Sequence, residues 1–240
     1  MTLDKDAHIP LHIQLKNEIE RKIMNGELAD QIPSEREFMQ KYNVSRSTVR
    51  EAITSLVREG VLVKKHGKGT FVSLKPIQNW LGHLSSTTEV IRNMNMQPGA
   101  QLIEFHKVTP PTYVKEITGF EEAYFLKRVR LANDFPIGIE QHYYPLSIGG
   151  LLANYDLNKI TLYNVIENEL GIQFAMAKQK ISCEPIPSGN ETYLKISPNT
   201  YVLKAERTIK NQMDEVIEFE EAYYRSDMYS FEINLSRKFG

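Results

Sequence analysis

The sequence predicts an α+β protein of two domains, and three observations predict it. Residues 1–73 show helical periodicity that ends in a short β-hairpin pattern. Residues 85–240 mix strand-like and helix-like segments, as in an antiparallel sheet with helices packed against it. A proline-bearing stretch, residues 74–84, reads as the linker between them.

The first helix starts at Ile9-Pro10. Leu15, Ile19 and Ile23 recur every four residues, and Gly26 is the expected stop. In "PSERE", Ser34 and Glu37 form a capping box for a second helix that runs to about Tyr42. "NVS" is a tight turn with Ser45 as N-cap of the third helix, "VSRSTVREAITSLVREG" (residues 44–60). One face of this helix carries Val49, Ile53, Leu56 and Val57; the other carries Arg46, Arg50 and Arg58. Two β-forming runs, residues 61–65 and 70–72, flank "HGKG", a basic hairpin turn.

Helix, helix, tight turn, helix and basic hairpin contains the order of a helix-turn-helix. There the second helix of the pair enters the major groove with its N-terminal residues near base edges. Ser45, Arg46, Thr48 and Arg50 occupy that turn here. Arginine bonds guanine bidentately, hydroxyls reach bases or phosphates, and the helix N-terminus favours phosphate. Gly67 and Gly69 let the hairpin tip approach closely, with His66 and Lys68 beside them. Taken alone, the helix reads better as an amphipathic surface helix; the order of elements favours DNA.

Composition agrees. The chain has 240 residues, 41% hydrophobic and 25% charged, ordinary for globular domains. There is no apolar run long enough to span a bilayer, and "MTLDKDAHIP" lacks the apolar core of a secretory signal. Cys183 is the only cysteine, which rules out an intrachain disulfide or thiolate cluster; a cytoplasmic protein is expected. The net charge of −1 divides into +3 over residues 1–75 and −4 over residues 76–240, so a polyanion prefers the first part.

"PSERE", "VSRSTVREA", "EGVL" and "GKGTFV" together closely resemble the winged-helix domain of GntR-type bacterial transcriptional regulators, over residues 10–72. The resemblance implies DNA contacts by Arg36, Arg46, Arg50, Gly67 and Gly69. One departure is visible: a glycine common before the capping box is replaced by Asp30 or Gln31, expected to affect a loop and not the reading head.

After the linker, "LSSTTEVIRNMNMQPG" reads as a short helix with a hydroxyl-rich start at residues 85–88 and a stop near Pro98-Gly99. Trp80, the only tryptophan, is expected to pack between the domains. Residues 125–145 and 202–225 look like copies of each other: strand, polar turn, strand. They share Arg130 with Arg207, Glu140 with Glu218, and paired tyrosines in the return strand. Between them lie a helix in "TLYNVIENELG", stopped by Gly171, a strand at residues 173–187 and a shorter helix at residues 188–197.

Strand alternation places Arg128 and Arg130 on one face and Val129 and Leu131 on the other; Glu140 projects opposite to Ile137 and Ile139, and Glu218 shares a phase with Tyr224. This spacing fits two readings, cross-strand ion pairs or an anion fork with acceptors beside it. The helix start at Thr161 with Tyr163 would add hydroxyls and free N–H groups.

"KRVRLANDFPIGIEQHYYP", "TLYNVIENELGI" and "VIEFEEAYYRSDMYSFEINLSR" resemble, in that order, the effector-binding UTRA domain of the HutC subfamily, whose fold is similar to chorismate lyase. From the amino-sugar-phosphate-responsive members, the resemblance implies a phosphate held by Arg128, Arg130, Thr161 and Tyr163, with Ser85 or Ser86 in reach. Glu140, Glu218 and Tyr224 would hold the sugar. Thr161 stands where serine is more usual. The implied partners are a palindromic double-stranded DNA operator, a sugar phosphate and a second copy of the chain, with no membrane and no cofactor. The competing class is a metabolite-binding protein or enzyme of chorismate-lyase-like fold. Against an enzyme, the sequence lacks a G-x-S-x-G elbow, a P-loop and H-E-x-x-H. Against a metal site, its six histidines are scattered, and the one suggestive pair, His8 and His12, straddles Pro10.

Overall fold

The computed structural model describes residues 3–4, 9–24, 27–28, 30–73 and 77–235. It divides into two compact units, Met1–Lys75 and Pro76–Gly240. Among the described residues no helix is long and apolar enough to cross a membrane.

In the first unit, α1 (Leu11–Met24) buries the predicted stripe of Leu15, Ile19 and Ile23. Its expected stop, Gly26, lies outside the described residues. The capping box of α2 (Glu35–Tyr42) is present: Ser34 Oγ accepts from the Glu37 amide at 3.3 Å, and Glu37 Oε2 accepts from the Ser34 amide at 2.7 Å. Asn43, at φ 50°, ends α2 in the left-handed region. Ser45 caps α3 (Arg46–Arg58), whose Val49, Ala52, Ile53 and Leu56 are buried. Burial of this kind stabilises by about 1.5–3 kcal/mol per large aliphatic side chain and fixes which face of α3 stays outside.

The hairpin pairs β1 (Leu62–Lys65) with β2 (Gly69–Val72), and Gly67 takes φ 68° in the turn. The backbone of residues 30–32 runs along β2: Val72 N–H donates to Asp30 O at 2.7 Å and Ile32 N–H to Thr70 O at 3.0 Å. Gln31 then donates its amide to Lys68 O at 3.0 Å, in the space that a Cβ on Gly69 would enter, 2.5 Å from Nε2. The departure at Asp30 and Gln31 is therefore not confined to a loop. It braces the hairpin tip, because a glycine there could not supply the amide.

The second unit opens with β3 (Ile77–Trp80), which pairs in parallel with the last strand, β10 (Tyr229–Glu232). Residues expected as linker thus form a strand. Buried Ile77 and the Asn79–Tyr229 hydrogen bond (3.0 Å) anchor it, while Lys75 and Pro76 lie outside the described residues. The Trp80 ring meets the His83 ring edge-on at 5.0 Å. Helix α4 (Thr87–Asn93) carries a second capping box, Ser86 with Glu89. It ends at Asn93, short of the expected stop, because Asn95 turns the chain at φ 58° and Pro98 already begins a strand.

There follow β4 (Pro98–Val108), α5 (Thr112–Thr118), β5 (Ala123–Ala132), β6 (Phe135–Pro145) and α6 (Leu146–Leu152). A single α-turn, α7 (Leu162–Asn164), runs into a π-helical segment (Val165–Glu169) ended by Gly171 at φ 70°. Then come β7 (Phe174–Pro185), α8 (Glu191–Leu194), β8 (Tyr201–Asn211) and β9 (Val216–Arg225). The sheet order is β4-β5-β6-β9-β8-β7, antiparallel throughout. The two hairpins read as copies are β5–β6 and β8–β9, and they meet at β6 and β9. Val129, Ile139, Val202 and Tyr223 pack with Leu194 of α8 on one face. Leu126, Tyr144 and Ile209 pack with α6 and the 162–166 segment on the other.

Candidate functional site

Period-2 alternation puts charged side chains from four adjacent strands on the face shared with α7. Arg128 of β5 lies opposite Glu140 of β6; His142 of β6 lies opposite Glu220 of β9, which lies opposite Arg207 of β8. Thr87 and Thr88 of α4 and the 161–163 segment complete a tight cavity of about 20 Å³. Every one of these charged side chains is buried. Gly138 makes room for a neighbour, since a Cβ there would lie 2.4 Å from the Tyr224 ring.

Glu140 is the hub. Its Oε2 lies 3.5 Å from Arg128 Nη2, from Arg130 Nε and from His142 Nε2. Its Oε1 accepts from Thr87 Oγ1 at 2.5 Å and from the Tyr224 hydroxyl at 3.3 Å. Arg128 also donates to the carbonyls of Leu157 (3.3 Å) and Ile160 (3.5 Å), and Arg130 Nη2 donates to Thr88 Oγ1 at 2.7 Å. Glu218 Oε1 meets His142 Nδ1 and accepts from the Tyr144 hydroxyl, each at 2.6 Å. Arg207 donates to the Tyr163 hydroxyl at 2.8 Å and to Gln179 Oε1 at 2.6 Å, and its Nη1 lies 3.5 Å from Glu220 Oε2.

Burial sets the electrostatics. It raises the Glu140 carboxyl, but Arg130, His142 and Arg128 outweigh it and hold that group well below the usual carboxylate range. Burial likewise opposes charge on His142, yet Glu140 and Glu218 push the imidazole up to about 9. Glu220 is raised by burial and by Glu140 and Glu218, against Arg207 and His142. Burial and the adjacent Arg130 pull Arg128 below its ordinary value. Several atoms in the cluster make no hydrogen bond: Arg128 Nε, Arg130 Nε, His142 Nε2, Glu218 Oε2 and Glu220 Oε2. Arg130 Nε, His142 Nε2 and Glu220 Oε2 instead sit at ion-pair distance, 3.5 Å, from an opposite charge, and a buried group that makes no hydrogen bond costs about 1–3 kcal/mol.

Of the predicted effector residues, Arg128, Arg130, Glu140, Thr161, Tyr163 and Ser86 line the cavity. Glu218 and Tyr224 stand one bond behind it. Ser85 is buried but does not line it, and Ser86 spends its hydroxyl on the α4 cap. The Tyr163 hydroxyl sits with Arg207 instead of Arg128 and Arg130. The cross-strand ion pair is present, and one carboxylate is shared between two guanidiniums. Sequence reasoning passed over His142, Arg207, Glu220, Thr87 and Thr88. His142 and Glu220 each lie two residues from a chosen glutamate, and Arg207 matches Arg130 in the duplicated hairpin, so alternation alone carried the signal for those three.

In the first unit, Arg36, Ser45, Arg46 and Arg50 are exposed and Thr48 half-buried, gathered at the starts of α2 and α3. Ser45 Oγ accepts from the Thr48 amide at 3.2 Å. Glu35 holds Arg46 Nε at 3.1 Å and lies 3.9 Å from Arg50 Nε, which orients both guanidiniums at the surface. His66, Gly67, Lys68 and Gly69 are exposed at the hairpin tip. Arg58 lies at the far end of α3, away from this group.

Comparisons with known proteins agree with the two-domain organisation. The family model for bacterial regulatory proteins of the gntR family matches residues 11–72, and that for the UTRA domain matches residues 93–230. The chain is 33% identical, over 96% of its length and 97% of the relative's, to the HTH-type transcriptional repressor NagR of Bacillus subtilis (strain 168). It is 25% identical, over 98% of both chains, to a probable fructoselysine utilization operon transcriptional repressor of Escherichia coli (strain K12). The crystal structure of PhnF from Mycobacterium smegmatis superposes with a TM-score of 0.65 at 23% identity, covering 93% of this chain and 99% of that one.

Proposed function

The chain belongs to the gntR family of bacterial regulatory proteins and carries a UTRA domain, and from that premise we propose that it is a repressor released by a phosphorylated sugar. As a DNA-binding transcriptional regulator it reads DNA with its winged helix and takes a small effector in its second unit. Its relatives are regulators, not enzymes. The proposed form is a homodimer on a palindromic operator in the cytoplasm, with Arg46 and Arg50 at base edges and Arg36 and the hairpin tip on the backbone. Two of the relatives carry repressor names, one of them for fructoselysine utilization, which supports the sign of regulation and the sugar class.

One observation carries the effector reading. Arg128 and Arg130 are buried, share the single Glu140 carboxylate at 3.5 Å and leave both Nε atoms without hydrogen bonds. A phosphate supplies more acceptor oxygens than that one carboxylate and forms charge-assisted bidentate bonds to arginine. Thr161, whose side chain makes no capping bond, adds a hydroxyl at the same wall. Glu140, relieved of the arginines, then accepts from sugar hydroxyls, with Glu218 and Tyr224 behind it. Thr87 and Thr88 bond to Glu140 and Arg130, so an effector that takes those partners acts directly on α4, which follows β3 and the stretch after the hairpin. Release requires that the sugar phosphate bind one arrangement of the dimer better than the other.

A thermal-shift panel tests this reading. A phosphorylated sugar present at about a hundred times its Kd stabilises the native state by about 2.7 kcal/mol, and its unphosphorylated parent does not. A panel in which no sugar phosphate exceeds inorganic phosphate would remove the assignment.

A further inference from the structure

We propose that a cleft outside the Arg128–Arg130 wall is a capture site through which a phosphorylated effector enters the buried cavity, with Arg92 and Lys159 as the cations that first hold its phosphate. The inference rests on the sugar-phosphate reading of that wall and adds the route by which the phosphate arrives.

The buried cavity, at about 20 Å³, has room for about one water molecule. A larger cleft, about 250 Å³, lies against it and shares Thr88, Arg130 and Thr161 as a common wall. That volume approaches the range of small-molecule sites, so a sugar phosphate fits the cleft before it fits the cavity. Helix α4, the start of β4 and residues 158–161 form the cleft. Two of these elements each carry a hydroxyl at the common wall and a cation that lines the cleft alone. Arg92 lies four residues after Thr88, on the same face of α4. Lys159 lies two residues before Thr161 on the facing segment.

With Arg130 they make three cations around the cleft, and among the described residues no carboxylate lines it. The cavity differs, since Glu140 and Glu220 stand among its cations. An incoming anion therefore meets uncompensated positive charge in the cleft first. Lys159 does lie 3.1 Å from Asp156, but that pair is exposed and weak in water. At the common wall Arg130 Nη2 donates to Thr88 Oγ1 at 2.7 Å. A phosphate oxygen arriving there takes the place of Thr88 as acceptor, and the charged bond is the stronger one. The opposite side is fastened: Asn158 Oδ1 accepts from the Leu102 amide at 2.8 Å, and Arg128 holds the Leu157 and Ile160 carbonyls. Exposure decides which rate the two outer cations govern. Arg92 and Lys159 are exposed, so salt screens them and they act on encounter, whereas a buried pair would act on dissociation.

Stopped-flow tyrosine fluorescence of the full chain tests this with inorganic phosphate and glucose 6-phosphate, at about 10 mM and about 200 mM salt. In wild type the association rate constant falls about tenfold between the two salt concentrations. In the double variant Arg92→Ala/Lys159→Ala it is about fivefold below wild type at low salt and equal to it at high salt, while dissociation changes by less than about twofold. Both side chains are exposed, so the variant melts as wild type does. Equal association rates in the two proteins at low salt overturn the capture site and leave the phosphate reading standing. A loss carried by dissociation also overturns it, because the cations would then belong to the final complex. If neither probe binds wild type at millimolar concentration, the phosphate reading of the wall falls and takes the capture site with it.

Discussion

The proposed reading head and the proposed effector cavity use the same residue types under opposite conditions. On the head, Arg46 and Arg50 are exposed, steadied by one half-exposed carboxylate, Glu35, and drawn from a single helical turn. In the cavity, Arg128, Arg130 and Arg207 are buried and come from two strands 77 residues apart in sequence for the equivalent pair Arg130 and Arg207. Solvent screens the first set, so in the proposed reading its arginines exchange Glu35 for DNA at little cost. Nothing screens the second set, so each charge depends on its neighbours and a ligand must replace what it displaces.

The largest effect follows from that contrast. Arg128→Ala leaves Glu140 short of a buried partner and lowers the stability of the second unit by about 3–5 kcal/mol in urea unfolding. Arg46→Ala changes unfolding by no more than about 0.5 kcal/mol. Comparable losses in the two variants would erase the distinction.

Next in size is a pH effect confined to the cavity. The folded value for His142, about 9, lies above its unfolded value of 6.5, so its charge stabilises the fold fully below pH 6.5. That contribution is lost as pH rises through about 9. Thermal melts of wild type between pH 6.5 and 9.5 should fall over this window more than those of His142→Gln. Parallel curves would contradict the charged imidazole.

On DNA, Arg46→Ala should weaken operator binding by about 1–3 kcal/mol in a fluorescence anisotropy titration and relax specificity at one base pair. Affinity for the effector should stay unchanged. The smallest effect is Gln31→Ala, which frees the Lys68 carbonyl and loosens the hairpin tip. A loss of about 0.5–1.5 kcal/mol in operator affinity is expected, uniform across sequences. A change in base preference instead would place Gln31 in direct readout.

The same contrast explains what the sequence disclosed. The head was legible almost residue by residue, because its signals are local: the Ser34–Glu37 box, the Ser45 cap and the stripe of Val49, Ile53 and Leu56 each lie within a few turns. Only the Gln31 brace escaped, since it acts across 37 residues on the Lys68 carbonyl. In the second unit the strands and the face of each side chain followed from alternation, but the strand order did not. Only the β6–β9 and β8–β9 pairings bring Glu220 beside His142 and Arg207. The pairing of β3 with β10, about 150 residues away, was invisible for the same reason: a short parallel strand needs no local turn signal.

In the proposed mechanism, anion binding in the buried cavity of the second unit governs DNA binding by the first. Anisotropy of labelled promoter DNA, titrated with the sugar phosphate that most stabilises the protein, measures that link directly. The predicted result is release of wild type from the DNA, with Arg128→Ala binding the same DNA nearly as tightly and showing no release. Release of the variant at the wild-type concentration of sugar phosphate would contradict it.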